Sequence, residues 1–214
     1  NGKTTTTSLV GTIFRAAGRS TYVVGNIGDP FSDIADRARK EDVAVCEVSS
    51  FQLETIKTFR PRVSAVLNIT PDHLNRHGDM KTYAALKARI FENQSGQDAA
   101  VLNYDDPLVR ELAKKAKCRV TWFSRLTKLS EGAYSEDGSI VCHMDGERHA
   151  LCRADELQIY GAHNLENALA AAAMATAMGV PAPVIRHGLR SFKAVEHRTE
   201  PVGEINGILF INDS

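Results

Sequence analysis

The sequence predicts an α/β protein built on a P-loop-type, doubly wound, mostly parallel sheet with a small antiparallel flap. Three observations predict it. Gly2-Lys3-Thr4 opens directly into a helix-spaced segment. Short apolar runs then alternate with helix-spaced ones, as parallel strands joined by crossover helices require. Between Gly132 and Leu157 the pattern changes to short alternating runs joined by Asp137-Gly138 and Asp145-Gly146, dipeptides that favour tight hairpins.

The elements follow in order. Asn1-Gly2-Lys3-Thr4-Thr5-Thr6-Thr7 reads as the second half of a phosphate-binding loop, and Ser8 to Gly18 as its helix, with Gly18 as the stop. Ser20 to Val24 is β-branched and aromatic, hence a strand, and Ser32 to Arg39 reads as a helix capped by Ser32. Val43 to Val48 and Val63 to Ile69 are nearly continuous apolar runs, as in parallel strands covered on both faces. A helix is expected from about Met80 to Asn93, a strand at Ala99 to Asn103, a proline-started helix at Pro107 to Lys117 and a strand at Arg119 to Phe123. The flap carries strands at Ser139 to His143 and Arg148 to Leu151. Asn164 to Met178 is an alanine-rich helix, Pro181 to Leu189 another, and Val202 to Asn212 a hairpin turning at Asn206-Gly207.

Composition narrows the class. In 214 residues, 43% are hydrophobic and 24% charged, enough for one sizeable core. Lys+Arg and Asp+Glu both number 26, and no basic run interleaves with aromatics, which argues against a nucleic-acid partner. No apolar stretch approaches the roughly 20 residues that span a bilayer. Cys46, Cys118, Cys142 and Cys152 are widely spaced without a C-x-x-C pair, so they read as reduced thiols of a cytoplasmic protein. The chain begins and ends inside recognisable motifs and reads as a domain of a longer protein.

The polar residues suggest a phosphate-handling site. In the pattern G-x-x-x-x-G-K-[ST], backbone N–H groups wrap a polyphosphate, the lysine neutralises terminal charge and the hydroxyl binds Mg²⁺. Gly2, Lys3 and Thr4 fill its last three positions, although half a motif also arises by chance. Ligands of open parallel sheets bind beyond the strands' carboxyl ends, where Glu47, Asp72 and His73 fall. Glu47 reads either as a Mg²⁺ ligand or as a strand-end surface acid. His73 reads either as a ligand or as part of a helix-entry turn capped by Asp72. By spacing, Asn164 is a helix N-cap, Lys87 a solvated lysine, and His197, Arg198 and Asp213 solvated loop or strand-end residues.

Five ordered motifs carry a resemblance: Gly2-Lys3-Thr4-Thr5-Thr6; Glu47-Val48-Ser49-Ser50-Phe51-Gln52-Leu53-Glu54; Asn68-Ile69-Thr70-Pro71-Asp72-His73-Leu74; Gly161-Ala162-His163-Asn164-Leu165-Glu166-Asn167-Ala168; and His197-Arg198 with Asn212-Asp213-Ser214. Together they resemble the Mur ligases, and the Ser49 to Leu53 run is similar to the D-glutamate-adding branch. The resemblance implies a central ATP-binding domain over residues 1–214, with the flap at 132–157 within it and separate UDP-binding and amino-acid-binding domains before and after. It implies that Asn1, Gly2, Lys3, Thr4 and Thr5 cradle ATP, with Asn164 and Asn167 on the adenine side, Arg198 at a phosphate and Asp213 at the ribose. Thr4 and Glu47 would hold one Mg²⁺ and His73 a second. Lys87, in Tyr83-Ala84-Ala85-Leu86-Lys87-Ala88, would be carbamylated, turning a cation into an anionic metal ligand. Asn26 and Ser49 would lie near the reacting acyl group. Asn75 stands where many relatives carry aspartate.

By the same resemblance, the carboxylate of UDP-N-acetylmuramoyl-L-alanine attacks the γ-phosphate of ATP, and the amine of D-glutamate displaces phosphate from the acyl phosphate, a step of peptidoglycan synthesis. Lys3, Asn26, Ser49, His73, Lys87 and Arg198 would serve that chemistry. A monomer is the expected state, with no turnover by the domain alone. Two other readings stay open: a sister Mur ligase or folylpolyglutamate-synthase-like ligase, which would differ at Ser49 to Leu53, and a nucleotide-binding module without catalysis.

Overall fold

The computed structural model describes residues 1–144, 146–193, 200–205 and 208–212. Helix α1 (Lys3–Ala16) begins directly at the phosphate-loop sequence and ends at Ala17, just before Gly18. Strands β1 (Thr21–Gly25) and β2 (Val43–Glu47) pair in parallel, with Gly25 opposite Glu47. A second sheet runs β3 (Val63–Val66), β4 (Ala99–Asn103), β5 (Arg119–Ser124), β6 (Gly132–Glu136), β7 (Ser139–Met144) and β8 (Glu147–Arg153) in that spatial order. Its first four strands are parallel, and β7 and β8 extend it as antiparallel hairpins. Asp137 and Gly138 both take positive φ (49° and 75°), the geometry a two-residue hairpin turn requires.

The sheet is covered on both faces. On one side, α1, α6 (Ala162–Ala177) and α7 (Ala182–Ser191) pack together over Val45, Val101, Phe123 and Ile140. Six successive residues of α6, Ala168 to Ala173, are at most 1% exposed, so small side chains let α1 and the sheet approach it closely. On the other side, α4 (Met80–Ala88) and α5 (Pro107–Leu112) lay Tyr83, Ala84, Val109 and Leu112 on Val66, Ala100 and Leu102. Strand β4 is therefore buried throughout, which explains its apolar run from Ala99 to Leu102. Truncating a fully buried residue such as Leu169 to alanine is expected to cost about 2–5 kcal/mol.

Several boundaries depart from the sequence expectation. The helix expected from Ser32 to Arg39 is only a single 3₁₀ turn, Phe31–Ile34, started at Pro30. In that segment Ile34 alone is buried, too little apolar surface to hold a longer helix. The helix expected to reach Asn93 is α4 followed by a 3₁₀ turn at Arg89–Phe91, and α5 likewise tightens into a 3₁₀ turn at Ala113–Lys115. The one-turn helix α2 (Ser50–Leu53) was not foreseen, and the helix entry that His73 offered as one reading is the one-turn α3 (Leu74–His77). Strands β9 (Glu200–Ile205) and β10 (Ile208–Asn212) form the expected hairpin, whose turn at Asn206-Gly207 lies outside the described residues, as does Asp145.

Strands β2 and β3 do not pair. A groove of about 390 Å³ runs between them, lined by Val43, Val45, Val63 and Ala65, with Lys3 among the residues along it.

Candidate nucleotide and metal site

Gly2 caps α1 in the left-handed region, with φ 79°. A Cβ there would lie 2.2 Å from Asn167 Oδ1, so both conformation and space require glycine. The next residues start the helix, whose unbonded first-turn N–H groups and dipole suit an anion. Thr4 donates its hydroxyl to Glu47 Oε2 at 2.9 Å, and Asn26 Nδ2 donates to Glu47 Oε1 at 3.1 Å. Glu47 is 5% exposed, so the strand end is no surface position.

Beside this pair lies a cleft of about 260 Å³ whose lining includes Lys3, Asn26, Ser49, His73 and Lys87. Five residues expected to serve the reaction thus come together from five different segments. Lys87 is not the solvated lysine its spacing suggests: burial, and then the charge of Lys3, push its ammonium down to about 8 against the pull of Asp72 and Asp106. Its Nζ lies 4.9 Å above the ring of Tyr83. His73 takes φ 51° at the start of α3, an uncommon conformation for a side-chain-bearing residue, and its Nε2 is 3.5 Å from Asp72 Oδ2. Asp72 does not cap α3; His73 holds the cap position.

Ser49 is the N-cap of α2 and forms a reciprocal capping box with Gln52. Its Oγ is 3.1 Å from Gln52 Oε1 and accepts from Gln52 N at 3.3 Å. For Ser49 to donate to an acyl oxygen, its hydroxyl would have to turn from Gln52 Oε1, while the cap bond from Gln52 N can persist.

Asn164 does not cap α6; Gly161 does, with φ 93°. Asn164 sits inside the first turn and donates Nδ2 to Tyr160 O at 2.8 Å, while its Oδ1 accepts from Asn167 Nδ2 at 3.1 Å. Asn167 Oδ1 accepts the Thr6 hydroxyl at 3.2 Å. Both asparagines are buried, and they brace the phosphate-loop helix from behind. Arg198 and Asp213 lie outside the described residues, as does His197.

The hard oxygen pair of Thr4 and Glu47 suits a divalent cation such as Mg²⁺, which takes further ligands from phosphate and water. Among the described residues, no three His, Cys, Asp or Glu side chains gather as a metal cage. The described cysteines are all free, and burial raises Cys46, Cys142 and Cys152 to about 11, so they are inert thiols. No described helix is long and apolar enough to cross a membrane.

Sequence reasoning passed over several neighbours. Asn68 Nδ2 donates to Asn1 O at 3.1 Å, tying the end of β3 to the loop. Asp106 accepts Ile69 N at 2.8 Å with one oxygen while capping α5 with the other, a role its place before Pro107 could have signalled. His77, with Ser50 and Glu54 around it, gave no sequence signal at all, since its partners come from another segment.

The Mur ligase middle domain family matches residues 1–175. The UDP-N-acetylmuramoylalanine–D-glutamate ligase of Pelotomaculum thermopropionicum is 56% identical over all 214 residues, and that of Alkaliphilus oremlandii 55%. The chain spans about half the length of these curated relatives, 47% in each. Among solved structures, MurF from Acinetobacter baumannii aligns over the whole chain and 49% of its own length, with TM-score 0.78 and 23% identity. MurF from Thermotoga maritima in complex with ADP aligns over the whole chain and 51% of its own, with TM-score 0.71 and 20% identity. These structures share the fold. Matched by the middle-domain family over most of its length, the chain belongs to the Mur ligases.

Proposed function

We propose that this chain is the ATP-handling middle domain of a ligase that joins D-glutamate to UDP-N-acetylmuramoyl-L-alanine. The observation that carries the reading is the Thr4–Glu47 pair beside a cleft lined by Lys3, Asn26, Ser49, His73 and Lys87. Identity of 56% to a relative named for that reaction supports the choice of acceptor.

The chemistry is the transfer of the γ-phosphoryl group to the substrate carboxylate, giving an acyl phosphate. Attack by the D-glutamate amine then forms the peptide bond and expels phosphate. The difficulty is bringing one anion to another. Lys3 offsets terminal phosphate charge, and the first-turn amides of α1 hold the polyphosphate. Bound Mg²⁺ supplies charge neutralisation at the phosphates and at the leaving group. Thr4 and Glu47 hold it, and Asn26 fixes the second oxygen of Glu47. His73 and a carbamylated Lys87 serve a second cation. Carbamylation joins the neutral Lys87 amine to CO₂ and releases one proton, and its depressed pKa supplies that neutral amine near pH 8. Asn164 and Asn167, which bond inward, would have to exchange those partners to meet adenine, while Arg198 serves a phosphate and Asp213 the ribose. Ser49 and Asn26 orient the acyl end.

The enzyme in this reading is monomeric and cytoplasmic, without nucleic-acid or membrane partners, and the 214 residues alone bind nucleotide weakly and do not turn over. The test is phosphate release by the full-length enzyme with UDP-N-acetylmuramoyl-L-alanine, ATP and Mg²⁺, offering D-glutamate, L-lysine, meso-diaminopimelate or L-alanine. Release with D-glutamate alone is expected. Release with another acceptor moves the chain to a sister ligase, and none at all leaves a nucleotide-binding module.

A further inference from the structure

Beneath the cleft, His77 is enclosed, its side chain 1% exposed. Its ring lies between those of Phe51, at 5.3 Å and 28°, and Tyr83, at 5.3 Å and 18°. Nε2 is 3.0 Å from Ser50 Oγ, and Nδ1 faces Glu54 Oε1 at 3.5 Å. The other Glu54 oxygen accepts from Arg76 Nη2 at 2.9 Å, which orients the carboxylate and holds it below its ordinary pKa.

Each contact leads to a candidate site residue. Ser50 follows Ser49. Phe51 packs on the His73 ring at 5.0 Å, and Tyr83 carries Lys87 on its face. The segments so joined have little stability of their own. Helices α2 and α3 have four residues each, far short of what a lone helix needs, and His73 sits in the left-handed region that a side-chain-bearing residue seldom adopts. Side-chain contacts must hold them, and His77, itself in α3, touches both α2 and α4.

We propose that His77 is a positioning residue that fixes Ser49, His73 and Lys87 relative to one another, acting as the neutral tautomer protonated at Nδ1. A carboxylate only accepts, so the nitrogen facing Glu54 carries the hydrogen, and Nε2 then accepts the Ser50 hydroxyl proton. Ser50 thereby spends its only donor inward. The turn beginning at Ser49 is locked from below, leaving the Ser49 hydroxyl's bond to Gln52 Oε1 as the part free to exchange when an acyl group arrives. The catalytic part of this inference rests on the ligase reading above; the tautomer does not.

The test uses the full-length enzyme. Selective ¹⁵N-histidine NMR at pH 8, with His77 assigned by its absence in His77→Phe, is expected to show hydrogen on Nδ1. Hydrogen on Nε2, whether alone or together with Nδ1, would overturn the proposal. Phenylalanine keeps the aromatic stack and removes both polar contacts, so His77→Phe should lower kcat about tenfold or more with KM for ATP within about twofold. Ser50→Ala should lose a similar factor, and the double variant no more than His77→Phe alone. Multiplying losses would mean that the two residues act independently and would also overturn it. If His77→Phe does not fold, assignment through Ser50→Ala, whose removal of the Nε2 partner shifts the His77 signals selectively, decides the tautomer. Absence of D-glutamate-dependent release by the unaltered enzyme would count against the ligase reading and leave the NMR result standing.

Discussion

The Thr4 hydroxyl lies 2.9 Å from Glu47 Oε2, joining the first turn of α1 to the end of β2 across 43 residues. A threonine and a carboxylate at this distance are spaced to share a cation, and the bond between them holds both oxygens ready for it. Glu47→Gln keeps the contact to Thr4 and removes the charge. In the full-length enzyme, nucleotide affinity measured with Mg²⁺ is expected to fall to the value measured with EDTA, and turnover to fall about a hundredfold, near 2.7 kcal/mol. Unchanged Mg²⁺ dependence would remove Glu47 from the metal site.

Gly2 and Asn167 are matched as closely. Gly2→Ala places a methyl 2.2 Å from Asn167 Oδ1 at φ 79°, which alone costs about 1–2 kcal/mol for a residue with a Cβ. The variant is expected to lose nucleotide affinity at least about tenfold, and Gly2→Ala/Asn167→Ala to recover part of it by clearing the clash. Isothermal titration of the three proteins checks this. Full recovery would mean that backbone strain contributes nothing.

Local patterns were legible in the sequence where one segment decides the outcome. Strand β4 is buried on both faces and reads so, and Gly2-Lys3-Thr4 opens a helix because nothing distant is needed to start it. Asn164 was misread because the N-cap preference of asparagine is local, whereas its burial depends on Gly161 taking the cap and on Thr6 lying behind Asn167. Lys87 was misread similarly. A lysine on a helix of low amphipathicity looks solvated until Lys3, 84 positions away, arrives beside it. The short helices α2 and α3 leave no periodicity to detect, since their stability comes from contacts made by His77 and Arg89 rather than from their own sequence.

Gln94 offers a test of the fold apart from the site. Its Nε2 donates to Pro61 O at 2.8 Å and Ala99 O at 3.0 Å, and its Oε1 accepts from Ser64 Oγ at 2.9 Å. One buried amide thus joins the entry of β3 to the start of β4. Gln94→Leu fills the space but strands two carbonyls, a hydroxyl and the Cys118 thiol, so a loss of about 2–4 kcal/mol in urea unfolding is expected. A loss below about 1 kcal/mol would mean that water replaces the amide.

Lys87 makes stability depend on pH in a direction the pKa fixes. Its ammonium titrates near 8 in the folded chain against an ordinary 10.5. Below pH 8 both folded and unfolded chains hold the proton, and folding carries the full cost of burying a charge and of confining it near Lys3. Between pH 8 and 10.5 the folded chain has released it while the unfolded chain keeps it, so this contribution to stability rises with pH; above 10.5 the cost is gone. Lys87→Met removes the charge at every pH. It is expected to stabilise the 214-residue chain by roughly 2–3 kcal/mol at pH 7. The advantage should shrink through pH 8 to 10.5, read from parallel urea melts. Because CO₂ adds only to the free amine, saturating bicarbonate should erase part of the pH 8 difference and give a ¹³C carbamate signal absent from Lys87→Met. Parallel stability curves across this range would show that Lys87 titrates as an ordinary surface lysine, with too little free amine near neutrality to capture CO₂.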